Sequence, residues 1–135
     1  MSTEVDAFLA SLKRCLATPE FLHRFYDAFM NSSQEIRDKF QKTEFPRQTR
    51  VLADSLYVLA VAAEKKGDNV AWSELTRLAE QHDRAHLDVR PELYDTWLEC
   101  LVATARAFDP EMTPEIESAW RNTLSLGIEH LRSRY

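Results

Sequence analysis

One histidine in this 135-residue sequence is placed to do chemistry. In Trp72-Ser73-Glu74-Leu75-Thr76-Arg77-Leu78-Ala79-Glu80-Gln81-His82, the residues Leu75, Leu78 and Ala79 precede the imidazole by seven, four and three positions, which is one stripe of an amphipathic helix. The ring therefore faces inward, just ahead of a helix-breaking junction. Two roles suit an inward imidazole. The commoner is a hydrogen-bonded core residue; the other is a ligand, whose Nε2 lone pair serves something buried, and a haem iron is the partner most often held by one such histidine. His86 follows one turn later, and a His-x-x-x-His pair on one face can hold a metal. No motif spaces a third ligand for it, so a solvated His86 is expected. His23 and His130 have no constellation around them and read as surface residues. Cys15 and Cys100 stand alone, without Cys-x-x-Cys spacing, and read as packed thiols.

The elements that must position His82 are helical. There are only two glycines and no β-branched run alternating with period two, and apolar positions recur at helical spacing almost everywhere. Val5, Phe8, Leu9, Leu12 and Leu16 form a first stripe, with Thr3 as its cap. Thr18-Pro19-Glu20 restarts the chain, Thr18 capping and Pro19 in the first helical position, ahead of Phe21, Leu22, Phe25, Tyr26, Phe29 and Met30. Ser32-Ser33-Gln34-Glu35 fits a capping box from Ser32 to Glu35 that opens a short helix ending at Phe40. After a polar corner, Pro46 starts a long helix to about Lys65, with Leu52, Leu56, Leu59 and Ala63 on one face, and the stretch around Gly67 stops it. The His82 helix follows. Arg90-Pro91-Glu92 opens the next, with Tyr94, Trp97, Leu98, Leu101, Val102, Ala105 and Phe108 inward, and Asp109-Pro110 ends it. Thr113-Pro114-Glu115 caps the last, with Ile116, Ala119, Trp120, Leu124, Ile128 and Leu131 inward. The expectation is an all-α chain of about seven unequal helices.

With 44% apolar residues, residues 1–135 are enough for one domain with one sizeable core, and leave no room for a second catalytic domain. A formal charge of −5 argues against nucleic-acid binding driven by phosphate contacts. Met1-Ser2-Thr3-Glu4-Val5-Asp6 lacks the basic start and apolar run of a signal peptide, and no stretch approaches the roughly 20 apolar residues of a membrane span. A cytoplasmic location is expected.

Unequal helices, a short one ending in Phe40 and a histidine ahead of two long helices resemble the globin fold. Phe25-Tyr26-Asp27-Ala28-Phe29-Met30 and Glu35-Ile36-Arg37-Asp38-Lys39-Phe40 are similar to bacterial single-domain globins and flavohaemoglobins, in which a distal tyrosine precedes a haem-stacking phenylalanine by fourteen residues, as Tyr26 precedes Phe40. Arg47-Gln48-Thr49-Arg50-Val51-Leu52 looks like the start of their distal helix, matching its glutamine and leucine with Gln48 and Leu52; Arg47 and Arg50 are the alternatives to Gln48. Leu78 and His82 match the leucine and proximal histidine, 42 residues after Phe40. Pro91-Glu92-Leu93-Tyr94 followed by Trp97 is similar to short bacterial globins.

The resemblance implies haem b held by His82, with Phe40, Tyr26, Gln48, Leu52, Leu78 and Tyr94 around it and O2, CO or NO as diatomic ligands. Tyr26 and Gln48 would donate to the bound gas, and Leu52, Leu56 and Leu78 would form a dry wall. Among Lys42, Arg47, Arg50, Arg84 and Arg90, mostly solvated, one or two would meet the haem propionates. The activity implied is reversible gas binding for storage, delivery or sensing. NO dioxygenation with an external reductase and a haem-free interaction module are the alternatives, and sensor-type relatives imply a homodimer through the last two helices. Flavohaemoglobins polarise the proximal histidine with a late carboxylate; Glu129 lies about two turns too early for that role, so weak peroxidase-like activation is expected.

Overall fold

The apolar stripes fold as seven helices: α1 (Thr3–Leu16), α2 (Glu20–Met30), α3 (Gln34–Lys39), α4 (Phe45–Glu64), α5 (Asn69–His82), α6 (Pro91–Phe108) and α7 (Pro114–Ser133). The computed structural model describes residues 3–64 and 69–135, and among these there is no strand. The Thr3 side chain and the stop at Gly67 lie outside the described residues.

Caps explain where the helices begin. Thr113 accepts from the Ile116 N–H (3.2 Å), with Pro114 in the first turn of α7, and Pro91 opens α6 after an extended Arg90, both as expected. Two caps differ from expectation by one residue. At α2 the cap position is Pro19, not Thr18, and no side chain bonds there; the Thr18 carbonyl instead accepts from the Phe21 N–H (3.1 Å), so backbone does the work expected of the hydroxyl. At α3 the cap is Ser33, whose oxygen accepts from the Ile36 N–H (3.2 Å). Ser32 turns back and donates to the Phe29 carbonyl (2.5 Å), which leaves Glu35 free to face Arg90 rather than close a box.

α7 packs against α1, α4, α5 and α6, while α2 lies on α6. Trp120 sits fully buried in α7, with the Phe8 ring edge-on at 4.8 Å and Phe21 at 6.4 Å. At Gly127, also in α7, a Cβ would lie 1.9 Å from Leu59 Cδ2, so the bare glycine lets the α4 leucine settle on the α7 backbone. Cys15 is buried and its thiol donates to the Ala105 carbonyl (3.9 Å). His23 is exposed as expected. His130 is not a plain surface residue: it is half-buried against Trp72 (5.2 Å between rings) with Nε2 3.3 Å from Thr76 Oγ1, because α5 packs over that part of α7.

One buried polar chain pins α1 to the α6–α7 corner. Trp120 Nε1–H donates to Ser11 Oγ (2.9 Å), and Ser11 donates to Asp109 Oδ2 (2.5 Å). Arg14 donates to both Asp109 oxygens (2.7 and 2.9 Å), and the Glu111 N–H completes the set at 2.9 Å. Burial pushes the Asp109 carboxyl up, but the bonds from Arg14, Ser11 and Glu111 outweigh it and hold the group at about 2. A carboxyl depressed on folding contributes stability above its unfolded value and loses it as pH falls through its folded value. Asp109→Ala should therefore cost about 3 kcal/mol in a urea titration near neutral pH, because it strands Arg14 and Ser11. Thermal melts between about pH 4 and pH 2 should show wild type losing stability that Asp109→Asn has already lost.

Candidate ligand-binding cavity

Helices α2, α3, α4, α5, α6 and α7 and the segment after α5 enclose a cavity of about 390 Å³. Its wall includes Tyr26, Phe40, Gln48, Leu52, Leu78, His82 and Tyr94, all seven residues expected at the site. The volume and the mainly apolar wall suit a small-molecule site with a few convergent polar groups.

His82 is the last residue of α5. Its Nδ1 lies 2.7 Å from the Leu78 carbonyl one turn back, so Nδ1 carries the proton and the Nε2 lone pair is left available. Burial pushes the imidazole below its usual value, with the Leu78 carbonyl pulling the other way, and the ring is neutral at physiological pH. The chain then wraps the helix end. Leu87 N–H bonds the Gln81 carbonyl (3.1 Å) and Val89 N–H the His82 carbonyl (2.9 Å), satisfying groups that a helix end leaves open. The wrap passes through Asp88 in a left-handed conformation (φ 51°), which aspartate tolerates better than most residues, and its carboxylate meets the Tyr135 hydroxyl.

On the α2 side, Tyr26 is buried with its ring near Phe40 (5.7 Å) and Phe45 (5.5 Å). Gln48 Nε2 donates to the Tyr26 oxygen (3.1 Å), while the Tyr26 hydroxyl reaches only a long contact, 3.4 Å, to the Gln48 carbonyl. Burial pushes the Tyr26 hydroxyl up to about 12, the Gln48 bond pulling it slightly down, so it stays protonated. Tyr94 is likewise pushed up to about 12 by burial, Arg132 opposing.

Gln48 lines the cavity, whereas Arg47 and Arg50 are exposed and do not. Leu56 departs from expectation. It is fully buried in the core and absent from the cavity wall, where Leu59 stands instead; a helical stripe marks inward positions without separating core from cavity. His86 is exposed and bonded to Asp83 (2.7 Å), and no cluster of three metal-ligating residues occurs among the described residues.

Two residues went unnoticed in the sequence. Lys39 faces the cavity and donates to the Leu87 carbonyl (3.0 Å), and Phe45 closes the corner against Phe40 and Tyr26. Nothing local marks Lys39, since its partner lies 48 residues away; Phe45, just before Pro46, was visible as an aromatic at a corner. Of the five basic residues weighed as propionate partners, Arg90 is taken by Glu35 (2.5 and 2.8 Å) and Glu92 (3.1 Å), and Arg84 lies over the Tyr135 ring (4.8 Å). The Glu35–Arg90 pair and the Lys39 bond strap α3 to the segment following His82. Among the described residues, the exposed large apolar side chains, Val51, Tyr57, Val61, Val70 and Leu87, fall outside α6 and α7, the helices expected to pair in a dimer.

The residues fit haem: a neutral imidazole with an available Nε2 stands in an apolar cavity with aromatic walls and a lysine at its lip. No helix among the described residues is long and apolar enough to cross a membrane. A comparison with curated proteins gave no match. The chain is similar to a protein from Pseudomonas aeruginosa PAO1 whose crystal structure is described as structurally highly homologous to a human hemoglobin, with 34% identity, 98% of each chain covered and a TM-score of 0.92. Residues 23–130 match the family described as Globin, and the chain belongs to the globin family.

Proposed function

We propose that the chain binds haem b through His82 and takes diatomic gases reversibly, O2 foremost. One observation carries this reading: the same cavity holds a neutral imidazole with its Nε2 unengaged and a tyrosine hydroxyl whose proton makes only a long contact. Haem, when bound, supplies a ferrous iron that takes diatomic gases. The chain supplies the rest. The Leu78 carbonyl fixes the His82 tautomer and ring plane. Phe40, Leu52 and Leu78 form a wall that limits water. Gln48 gives one of its two amide protons to the Tyr26 oxygen and so positions the tyrosine, whose own proton can turn to a polar acceptor at little cost.

His82 should be required for haem and His86 dispensable. On titration with hemin, His82→Ala is expected to lose the Soret band or hold haem at least tenfold more weakly while keeping its helical circular dichroism, and His86→Ala to match wild type. A Soret band lost only in His86→Ala would overturn the assignment.

Tyr26→Phe should speed O2 release about tenfold or more, on the scale of a hydrogen bond to a polarised acceptor, and change CO release much less. Gln48→Leu should act in the same direction and more weakly, because it removes the support and not the donor, and Arg50→Leu should do almost nothing. Stopped-flow O2 release from the three variants decides; an unchanged rate in Tyr26→Phe removes the tyrosine from the mechanism.

The His82 Nδ1 proton goes to a backbone carbonyl and not to a carboxylate, and the late acid Glu129 lies beside Arg132 (3.7 Å). The imidazole therefore keeps its proton and donates little extra charge, so slow hydrogen-peroxide turnover is expected of the haem-loaded chain. Rapid peroxide-driven oxidation of a phenolic dye would contradict it.

A further inference from the structure

The cavity opens where its wall residues reach solvent, at Val51, Gln81 and Leu87. Two small pieces of wall face each other there. One is α3, which packs chiefly on α2 and gives the wall Ile36 and Lys39. The other is the segment 83–90, which gives it Leu87 and Val89. That segment is held together by its own bonds: the Asp83 side chain accepts from the Ala85 and His86 N–H groups (3.0 and 3.1 Å), and the Asp83 carbonyl accepts from the Asp88 N–H (2.8 Å). The bonds that tie it to α3 are polar and partly in water. Lys39 reaches the Leu87 carbonyl at the rim, and Arg90 holds Glu35 with side chains 48% and 34% exposed. Such bonds exchange with water at little cost, and a boundary made of them is where a fold opens first. Neither Glu35 nor Arg90 lines the cavity, so their bond acts on the wall and not on a guest.

We propose that the Glu35–Arg90 and Lys39–Leu87 bonds form a latch, and that haem enters and leaves the cavity through the seam they close between α3 and the segment 83–90. The proposal rests on the haem reading above. A rigid, flat guest passes the rim whole, so the seam must part for it; because the segment is internally bonded, it swings away from α3 as one piece. The hinges are the two ends of the segment, at His82 and at Arg90. Once the guest is seated the same bonds re-form behind it. A device that is closed in both the empty and the filled cavity changes the rates of entry and exit together and leaves the affinity nearly unchanged. A group that touches the guest changes the exit rate and the affinity instead, so the two roles are separable by kinetics.

The probe is haem itself. Mixed as its CO complex with the haem-free chain in a stopped-flow instrument, it should enter Glu35→Gln about threefold faster than wild type, and transfer of hemin from Glu35→Gln to excess apomyoglobin should quicken by a similar factor. Arg90→Gln should behave alike, and the double variant should add little to either, because each change removes the same bond. Arg106→Gln, which opens an exposed pair with Glu117 away from the cavity wall, should leave both rates as in wild type. A haem-independent arm reads the opening directly: in the haem-free chain, amide exchange at Leu87 and Val89 should quicken about threefold in Glu35→Gln, with α1 and α7 unchanged. A wild type that takes up no haem would strike the functional reading and the latch with it, whereas uptake at rates that Glu35→Gln does not move would strike the latch alone. Faster loss without faster entry, or faster exchange throughout the chain, would also overturn the proposal: the first makes the pair a support of bound haem, the second a plain contribution to stability.

Discussion

The hydrogen bond from His82 Nδ1–H to the Leu78 carbonyl, at 2.7 Å, is the constraint on which the site depends. It uses a carbonyl of the helix that carries the histidine, so tautomer and ring orientation are set by four residues of local backbone and need no second element. Everything around it preserves that helix end. Leu87 and Val89 return to the Gln81 and His82 carbonyls, Arg90 and Lys39 tie the returning segment to α3, and Phe40 at the end of α3 thereby holds its place on the cavity wall. The imidazole and the aromatic wall belong to elements far apart in sequence, and a few charge-assisted bonds join them.

The other side of the cavity is built differently. Tyr26 depends on a helix–helix contact, with Gln48 from α4 supporting a hydroxyl from α2 and three aromatic rings crowding the corner. Its donor proton is weakly held, so the group is available to a guest in a way that a fully satisfied core tyrosine is not. The polar chain from Trp120 through Ser11 and Asp109 to Arg14 joins α1 to the α6–α7 corner, and none of its four residues lines the cavity.

The helices and the inward set were legible from the sequence because each rests on local periodicity and on prolines at helix starts. His82, Tyr26, Phe40, Gln48, Leu52, Leu78 and Tyr94 do meet in one cavity. What stayed hidden depended on contacts the chain makes only when folded. Two adjacent serines offer the same cap chemistry, and only the turn geometry gives the role to Ser33 and sends Ser32 back to Phe29. Leu56 and Leu59 share a stripe, and the close approach of α4 to Gly127 accompanies their separation into core and cavity. Lys39 has no signature at all until Leu87 arrives beside it.

The most direct test of His82 as the haem ligand is the resonance Raman spectrum of the ferrous, gas-free protein, recorded with natural-abundance and ¹⁵N-labelled histidine. An iron–nitrogen stretching band that shifts on labelling, disappears in His82→Gly and returns on adding free imidazole is expected. The same band surviving unchanged in His82→Gly, or no label-sensitive band in wild type, would contradict the assignment.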